Sequence, residues 1–200
     1  MLALDGRPSR ATPPPISVEV VVRLARCAGK PVRGASWVGD HIEAANRVLA
    51  PVGVRIAARI VPFSPPLCRL LSIGERDAMA AWAPPGELTV IVIEEVRDLR
   101  LRSYKLMGVH WRYRGADARY AGRRWVFLTA RARPPVLAHE LCHRFGLRHD
   151  PAGGNLMTPG PSDPVWRRPG PRPQPFAPLL TEEQGRRVRR FVKRLGRGGS

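Results

Sequence analysis

His139-Glu140-Leu141-Cys142-His143-Arg144-Phe145-Gly146-Leu147-Arg148-His149-Asp150 brings three imidazoles and two carboxylates into twelve residues. His139 and His143 stand four apart, so on a helix they lie about 40° apart around the axis and one turn apart along it, and both reach one ion. Gly146 follows at the point where a left-handed residue can close the helix, which lets the chain turn back and present His149 as a third nitrogen. Three histidines make an open zinc site, since a structural zinc usually takes four protein ligands and a catalytic one keeps a position for water. Glu140, next to the first ligand on the flank of the ligand face, is the natural general base.

The competing reading is a helix that carries surface histidines. At average composition HExxH alone arises by accident in about one chain in 40 of this length. Requiring Gly146 and His149 as well lengthens those odds by about 400-fold, which favours the metal site.

HExxHxxGxxH at residues 139–149 resembles the zinc signature of the metzincin metallopeptidases. The second mark of that family is a methionine in a tight turn beneath the metal, and Gly153-Gly154-Asn155-Leu156-Met157-Thr158-Pro159 is similar to it, with Met157 eight residues after His149 as in the matrixin branch. Met157 is also read as a core methionine, a role it would have within the family too. Asp150 departs from the matrixin serine and is more like the adamalysin branch, which leaves the subfamily open.

The chain of 200 residues is long enough for one domain with a real core, and 44% hydrophobic content without an apolar run near 18 residues argues against a membrane span. MLALDGRPSRATPPP has no basic segment followed by an apolar stretch, so residues 1–15 read as a disordered leader rather than an export signal. The default compartment is therefore the cytoplasm, with secretion open if the true start lies upstream. A formal charge of +18 would suggest nucleic acid. Lysine, however, occurs only at Lys30, Lys105 and Lys193, and the arginines are spread along the whole chain, a composition bias rather than a binding stripe. The densest run, residues 186–195, has Val188, Phe191, Val192 and Leu195 at helical spacing, so it reads as an amphipathic helix with solvated arginines, opened by a Thr181/Gln184 capping box. No specific nucleic-acid partner and no membrane partner are expected, and a monomer is.

Cys27, Cys68 and Cys142 are odd in number and lack paired spacing, which argues against a disulfide framework and a cysteine metal site. A Cys27–Cys68 bridge is open only to an exported protein and is not the favoured reading. Cys142 reads as packing. Residues 26–31, RCAGKP, match the cysteine segment of matrixin propeptides poorly, with the glycine displaced and the final acid absent.

Alternation predicts strands over residues 16–26 and 55–61; a helix over 36–50 is stopped by Pro51. A short helix near 75–82 precedes a strand over 88–93 that is apolar on both faces, then strands over 107–114 and 125–130, and Pro134-Pro135 opens the metal helix. That order is similar to the metzincin fold. It implies an α+β domain over residues 16–200 with a five-stranded twisted mixed sheet and three helices. Zinc would lie in the cleft between a larger subdomain, 16–149, and a smaller one, 150–200. The resemblance makes Val109, His110 and Trp111 the edge strand that pairs with an extended peptide. His110 as a fourth ligand is the weaker reading of a lone histidine on a strand. The resemblance also makes Val165 and Trp166, in the proline-rich stretch 159–178, a wall of the substrate pocket; the alternative there is a flexible connector. Residues 97–122 lack the aspartate and glycine pattern of calcium loops, so one zinc and no calcium are expected.

The expected function is zinc-dependent hydrolysis of peptide bonds, with Glu140 as base and a peptide or protein as substrate. The alternative is a catalytically idle zinc protein of the same fold that only grips a peptide, for which Glu140 would be superfluous. An arginine-rich nucleic-acid binder rests on charge alone.

Overall fold

The computed structural model describes residues 14–101, 103–160, 163 and 172–195. The leader expected at residues 1–15 falls, except for Pro14 and Pro15, outside the described residues. So do Val165 and Trp166.

The first strand, β1 (Ile16–Cys27), is the spine of a mixed sheet. It runs parallel to β3 (Val54–Phe63) on one side and to β5 (Thr89–Ile93) on the other. β5 pairs in parallel with β9 (Arg124–Thr129), and β9 pairs antiparallel with β8 (Gly108–Arg112), which closes that edge. The two-residue β2 (Lys30–Pro31) folds back on the end of β1 and raises the strand number from the expected five to six. Parallel pairs need long crossovers, and α1 (Ala35–Leu49) supplies the one between β1 and β3. Pro51 and Gly53, at φ 65°, end it one residue earlier than the pattern suggested.

Alternation sorts the strand side chains onto two faces. Val20, Val22, Val90, Val92, Val126 and Leu128 point to the face covered by α1, α3 (Pro135–Arg144) and α4 (Glu182–Leu195). Ile91, Ile93, Trp125 and Phe127 point to the opposite face, with Trp111, Met79 and Leu70. β5 is thus apolar throughout because both its sides are covered. α4 lays Val188 and Val192 on the helical face, and Phe191 packs its ring 5.8 Å from Phe145, whereas Leu195, expected to join them, is exposed. The Thr181/Gln184 capping box is present. The arginines of α4 are partly engaged: Arg186 and Arg187 pair with Glu182 and Glu183 one turn earlier, and Arg189 donates to the carbonyls of Val52 and Gly53 at 3.0 Å.

The opposite face is roofed by short elements. α2 (Ile73–Asp77) starts at a Ser72/Glu75 capping box and runs into a 3₁₀ turn over Ala78–Trp82. β4 (Arg69–Leu70), β6 (Glu95–Arg97) and β7 (Lys105–Leu106) form a second small sheet, for which two- and three-residue strands leave no period to detect. Cys27 and Cys68 are joined in a disulfide that ties the end of β1 to this roof. The favoured sequence reading of free thiols at these positions is therefore corrected: an odd cysteine count said only that one thiol is left over, and that one is the buried Cys142. Disulfides persist in oxidising surroundings. Among the described residues, no helix is long and apolar enough to cross a membrane.

Candidate metal centre

α3 carries the first two histidines and stops where the third can reach them. Pro134 and Pro135 open the helix, where missing N–H groups cost nothing. At its end Gly146 takes φ 91°, Leu147 N–H donates to the Cys142 carbonyl at 2.9 Å and Gly146 N–H to that of His143 at 3.0 Å, the paired bonds of a Schellman ending. The chain then doubles back and brings His149 onto the ligand face. The Nε2 atoms of His139, His143 and His149 lie 3.0, 3.1 and 3.3 Å from one another.

Each ring is held from behind. His139 Nδ1 meets the Leu156 carbonyl at 2.6 Å, His143 Nδ1 the Leu147 carbonyl at 2.9 Å, and His149 Nδ1 the Asp163 carboxylate at 2.7 Å. An Nδ1–H that donates to oxygen fixes the tautomer and leaves Nε2 as a bare lone pair, which is how second partners orient metal-binding histidines. Burial pushes the pKa of His139 down to about 4; burial and the neighbouring His139 push that of His143 down to about 3. Both rings are therefore neutral and able to ligate near pH 7. Three lone pairs converging at about 3 Å repel one another unless a cation lies between them. A tetrahedral zinc with nitrogen at about 2.0–2.1 Å has ligand–ligand edges of about 3.3 Å, so this donor set fits that ion. Among the described residues it is the one cluster of three or more such groups close enough to hold a metal.

Glu140 is 6% exposed and lies under the edge strand, where its Oε2 accepts the His110 backbone N–H at 2.7 Å. Burial raises its carboxyl to about 8, partly opposed by that hydrogen bond. A divalent cation beside it would favour the carboxylate. Gly108 makes room for it: a Cβ there would lie 2.6 Å from Val136 Cγ1 and 2.9 Å from Glu140 Cγ. Sequence reading passed over both Gly108 and Asp163, the first because a strand glycine has several meanings, the second because its partner is remote in sequence.

The turn after His149 is knotted by side chains. Asp150 Oδ2 accepts from Asn155 Nδ2 at 2.7 Å, Asn155 Oδ1 accepts the Met157 N–H at 2.8 Å, and Asp150 N–H donates to the Met157 carbonyl at 2.8 Å. Gln184, the capping residue of α4, reaches into the same knot with Nε2 at 3.3 Å from Asp150 and 3.2 Å from Asn155. Met157 is fully buried in the helical-face core, as is Cys142, whose thiol is pushed up by burial.

Val109, His110 and Trp111 share a cavity of about 450 Å³ with the three histidines and Glu140. Trp111 is nevertheless a core residue, its indole N–H given to Asp77 at 2.7 Å. His110 is not in the histidine cluster: its Nε2 is buried without a partner among the described residues, and burial, with Arg144 and Arg124, pushes its pKa down to about 4.

No protein-family model matches the chain, and no curated protein matches it in sequence. Solved structures do. Metalloproteinase-II from Bacteroides fragilis superposes with a TM-score of 0.59 and 12% identity, over 92% of this chain and 55% of that one. Mature mirolysin from Tannerella forsythia, in complex with a cleaved peptide, gives a TM-score of 0.50 and 12% identity, over 70% of this chain and 66% of that one. The chain thus spans about half the length of the first, 55%, and just under two thirds of the second, 66%. At such identity the likeness carries the fold, a mixed α+β fold shared with these metalloproteinases.

Proposed function

We propose that this protein is a zinc-dependent endopeptidase of metzincin type, matrixin-like in its Met157 turn, with one zinc held by His139, His143 and His149. The carrying observation is the convergence of three Nε2 atoms at 3.0–3.3 Å, each ring tied through Nδ1, with Glu140 directly beside the first. The likeness to two metalloproteinases supports the reading, and the cleaved peptide bound to mirolysin supports a peptide substrate.

When bound, zinc supplies a Lewis acid that polarises a carbonyl and lowers the pKa of water. The chain's own part is proton handling and alignment. Glu140 takes a proton from the attacking water at one carboxylate oxygen and delivers it to the leaving amine, while the His110 N–H keeps the other oxygen in place. β8 is an antiparallel edge strand, so its outer backbone groups other than the His110 N–H, which Glu140 holds, can pair with an extended substrate and hold the scissile bond over the histidines. Met157 and the Asp150–Asn155–Gln184 knot hold the turn that faces the metal. We read the substrate as protein or peptide, the chain as a monomer, residues 16–200 as one domain and calcium as unneeded.

The test is cleavage of denatured casein by the metal-replete protein, with and without a chelator. Glu140→Gln should keep about one zinc per chain and lose at least about a hundredfold in cleavage. If the wild type cleaves neither casein nor a broad peptide library, the reading fails and a peptide-gripping zinc protein replaces it.

A further inference from the structure

Away from the histidines, the wall of the cleft is cationic in a way that peptide hydrolysis as such does not require. Arg76 of α2 lines the cavity while only 2% exposed, an unusual setting for a guanidinium. Its Nη2 donates to the Arg97 carbonyl, but its Nε is buried with no hydrogen-bond partner among the described residues. The Trp111 ring carries Arg76 at 4.7 Å and the exposed Arg114 also at 4.7 Å, two like charges on one indole. Arg100, also exposed, lines the same cavity.

Among the described residues, Arg76, Arg100 and Arg114 line this wall with one carboxylate, Asp98. That group is itself buried and its Oδ1 is occupied by the backbone N–H groups of Arg100 and Leu101 at 2.7 and 2.9 Å. Asp77, behind Trp111, is taken by the indole and by the Arg114 N–H. At the metal end, Glu140 and Asp163 face His110 and His149. Among the described residues lining this wall, cationic side chains outnumber carboxylates. Burial accordingly depresses the Arg76 pKa to about 10, opposed by Asp98 and aided by Arg114, yet leaves it a cation at neutral pH. A fixed, partly dehydrated guanidinium backed by two exposed ones is the arrangement that recognises a carboxylate, through charge-assisted forked hydrogen bonds.

Resting on the peptidase reading for what occupies the cleft, we infer that Arg76, Arg100 and Arg114 form a carboxylate subsite and that the preferred substrates are acidic peptides. The carboxylate is that of a Glu or Asp side chain or of a chain terminus, which share the chemistry.

The test uses binding, so that it does not depend on turnover. Zinc-loaded Glu140→Gln protein is titrated into labelled amidated peptides that carry Glu, Gln or Lys at each position in turn, and into an all-neutral peptide with a free or amidated carboxy terminus. At one position Glu should bind about tenfold more tightly than Gln, with Lys weakest, and the gap should shrink as salt rises from about 50 to 500 mM. Discrimination by the terminus instead identifies a chain end as the source. Arg114→Glu should reverse the order toward Lys, and Arg100→Ser should narrow it. Both residues are exposed, so a thermal melt verifies folding, and neither variant depends on the buried Arg76. Equal binding of Glu, Gln and Lys peptides with no effect of the terminus, or no binding at about 1 mM peptide, overturns the subsite. Casein cleavage by the wild type with no such discrimination would leave the peptidase reading standing and the subsite refuted.

Discussion

On its helical face the main sheet is covered by α1, α3 and α4 through an almost wholly apolar surface, whereas on the opposite face short elements bury Arg76, Asp77, Glu95 and Asp98 alongside Met79, Trp111 and Trp125. The helical face carries the three histidines. The opposite face carries the cationic wall of the same cleft and the Cys27–Cys68 bridge. One face therefore relies chiefly on area removed from water, and the other adds buried polar and charged groups and a covalent tie. If that contrast is real, damage to the polar roof should spare metal binding, while damage below should abolish it.

The largest effect is expected at the histidines. His143→Ala should take bound metal from about one equivalent to near none, because two imidazoles do not make a tight site. Full retention of zinc by elemental analysis would remove the basis of the contrast.

Core and disulfide can then be compared directly. The bridge closes a separation of 41 residues, and its removal by Cys27→Ser with Cys68→Ser should cost on the order of 4 kcal/mol in denaturant unfolding. Leu141→Ala, in the fully buried heart of α3, should cost about 2–5 kcal/mol. The two should separate in metal affinity. The disulfide variant, while folded, should bind zinc within about threefold of wild type, a gap of roughly 0.7 kcal/mol, and Leu141→Ala should bind it clearly more weakly. Equal losses in both would mean that the faces act as one unit.

Asp77→Ala leaves the buried Trp111 indole and the Arg114 N–H without their acceptor and should cost about 1–3 kcal/mol. Retained zinc stoichiometry in this variant would support the separation, and lost zinc would break it.

The smallest effect concerns acid. His41 on α1 is buried, with Nδ1 on the Trp37 carbonyl, and burial lowers its pKa below the ordinary 6.5. The unfolded chain takes up that proton first, so stability is present above pH 6.5 and is lost as pH falls below it. In metal-free protein, His41→Leu should flatten the acid side of a stability-against-pH curve. A slope should remain from His110, His139 and His143, whose pKa values are also lowered. An unchanged curve would mean that His41 is not sensed as a buried base.

The helical face was legible because its signals are local and periodic. The i, i+4 histidines, Gly146 and the Thr181/Gln184 box each speak within a few residues, and their elements appeared within a residue or two of the expected bounds. The opposite face depends on contacts between residues far apart, such as Asp77 with Trp111 and Cys27 with Cys68, and no run of sequence announces those. Within the site the same divide holds. His139, Glu140, His143 and His149 could be named from spacing, but the Asp163 contact that aims His149 comes from a residue 14 positions further on, outside the motif. Val165 and Trp166 lie outside the described residues, so the pocket wall expected there stays a sequence reading.

The reach of Gln184 into the Asp150–Asn155 knot has a consequence for how the molecule is made. Translation delivers the chain from its amino terminus, so the helix with its histidines and the Met157 turn leave the ribosome before the glutamine that braces them. A growing chain therefore has the Asp150, Asn155 and Met157 ties of the turn available before Gln184 arrives to brace them. The last brace on that turn is therefore added late, when α4 caps itself with the same side chain.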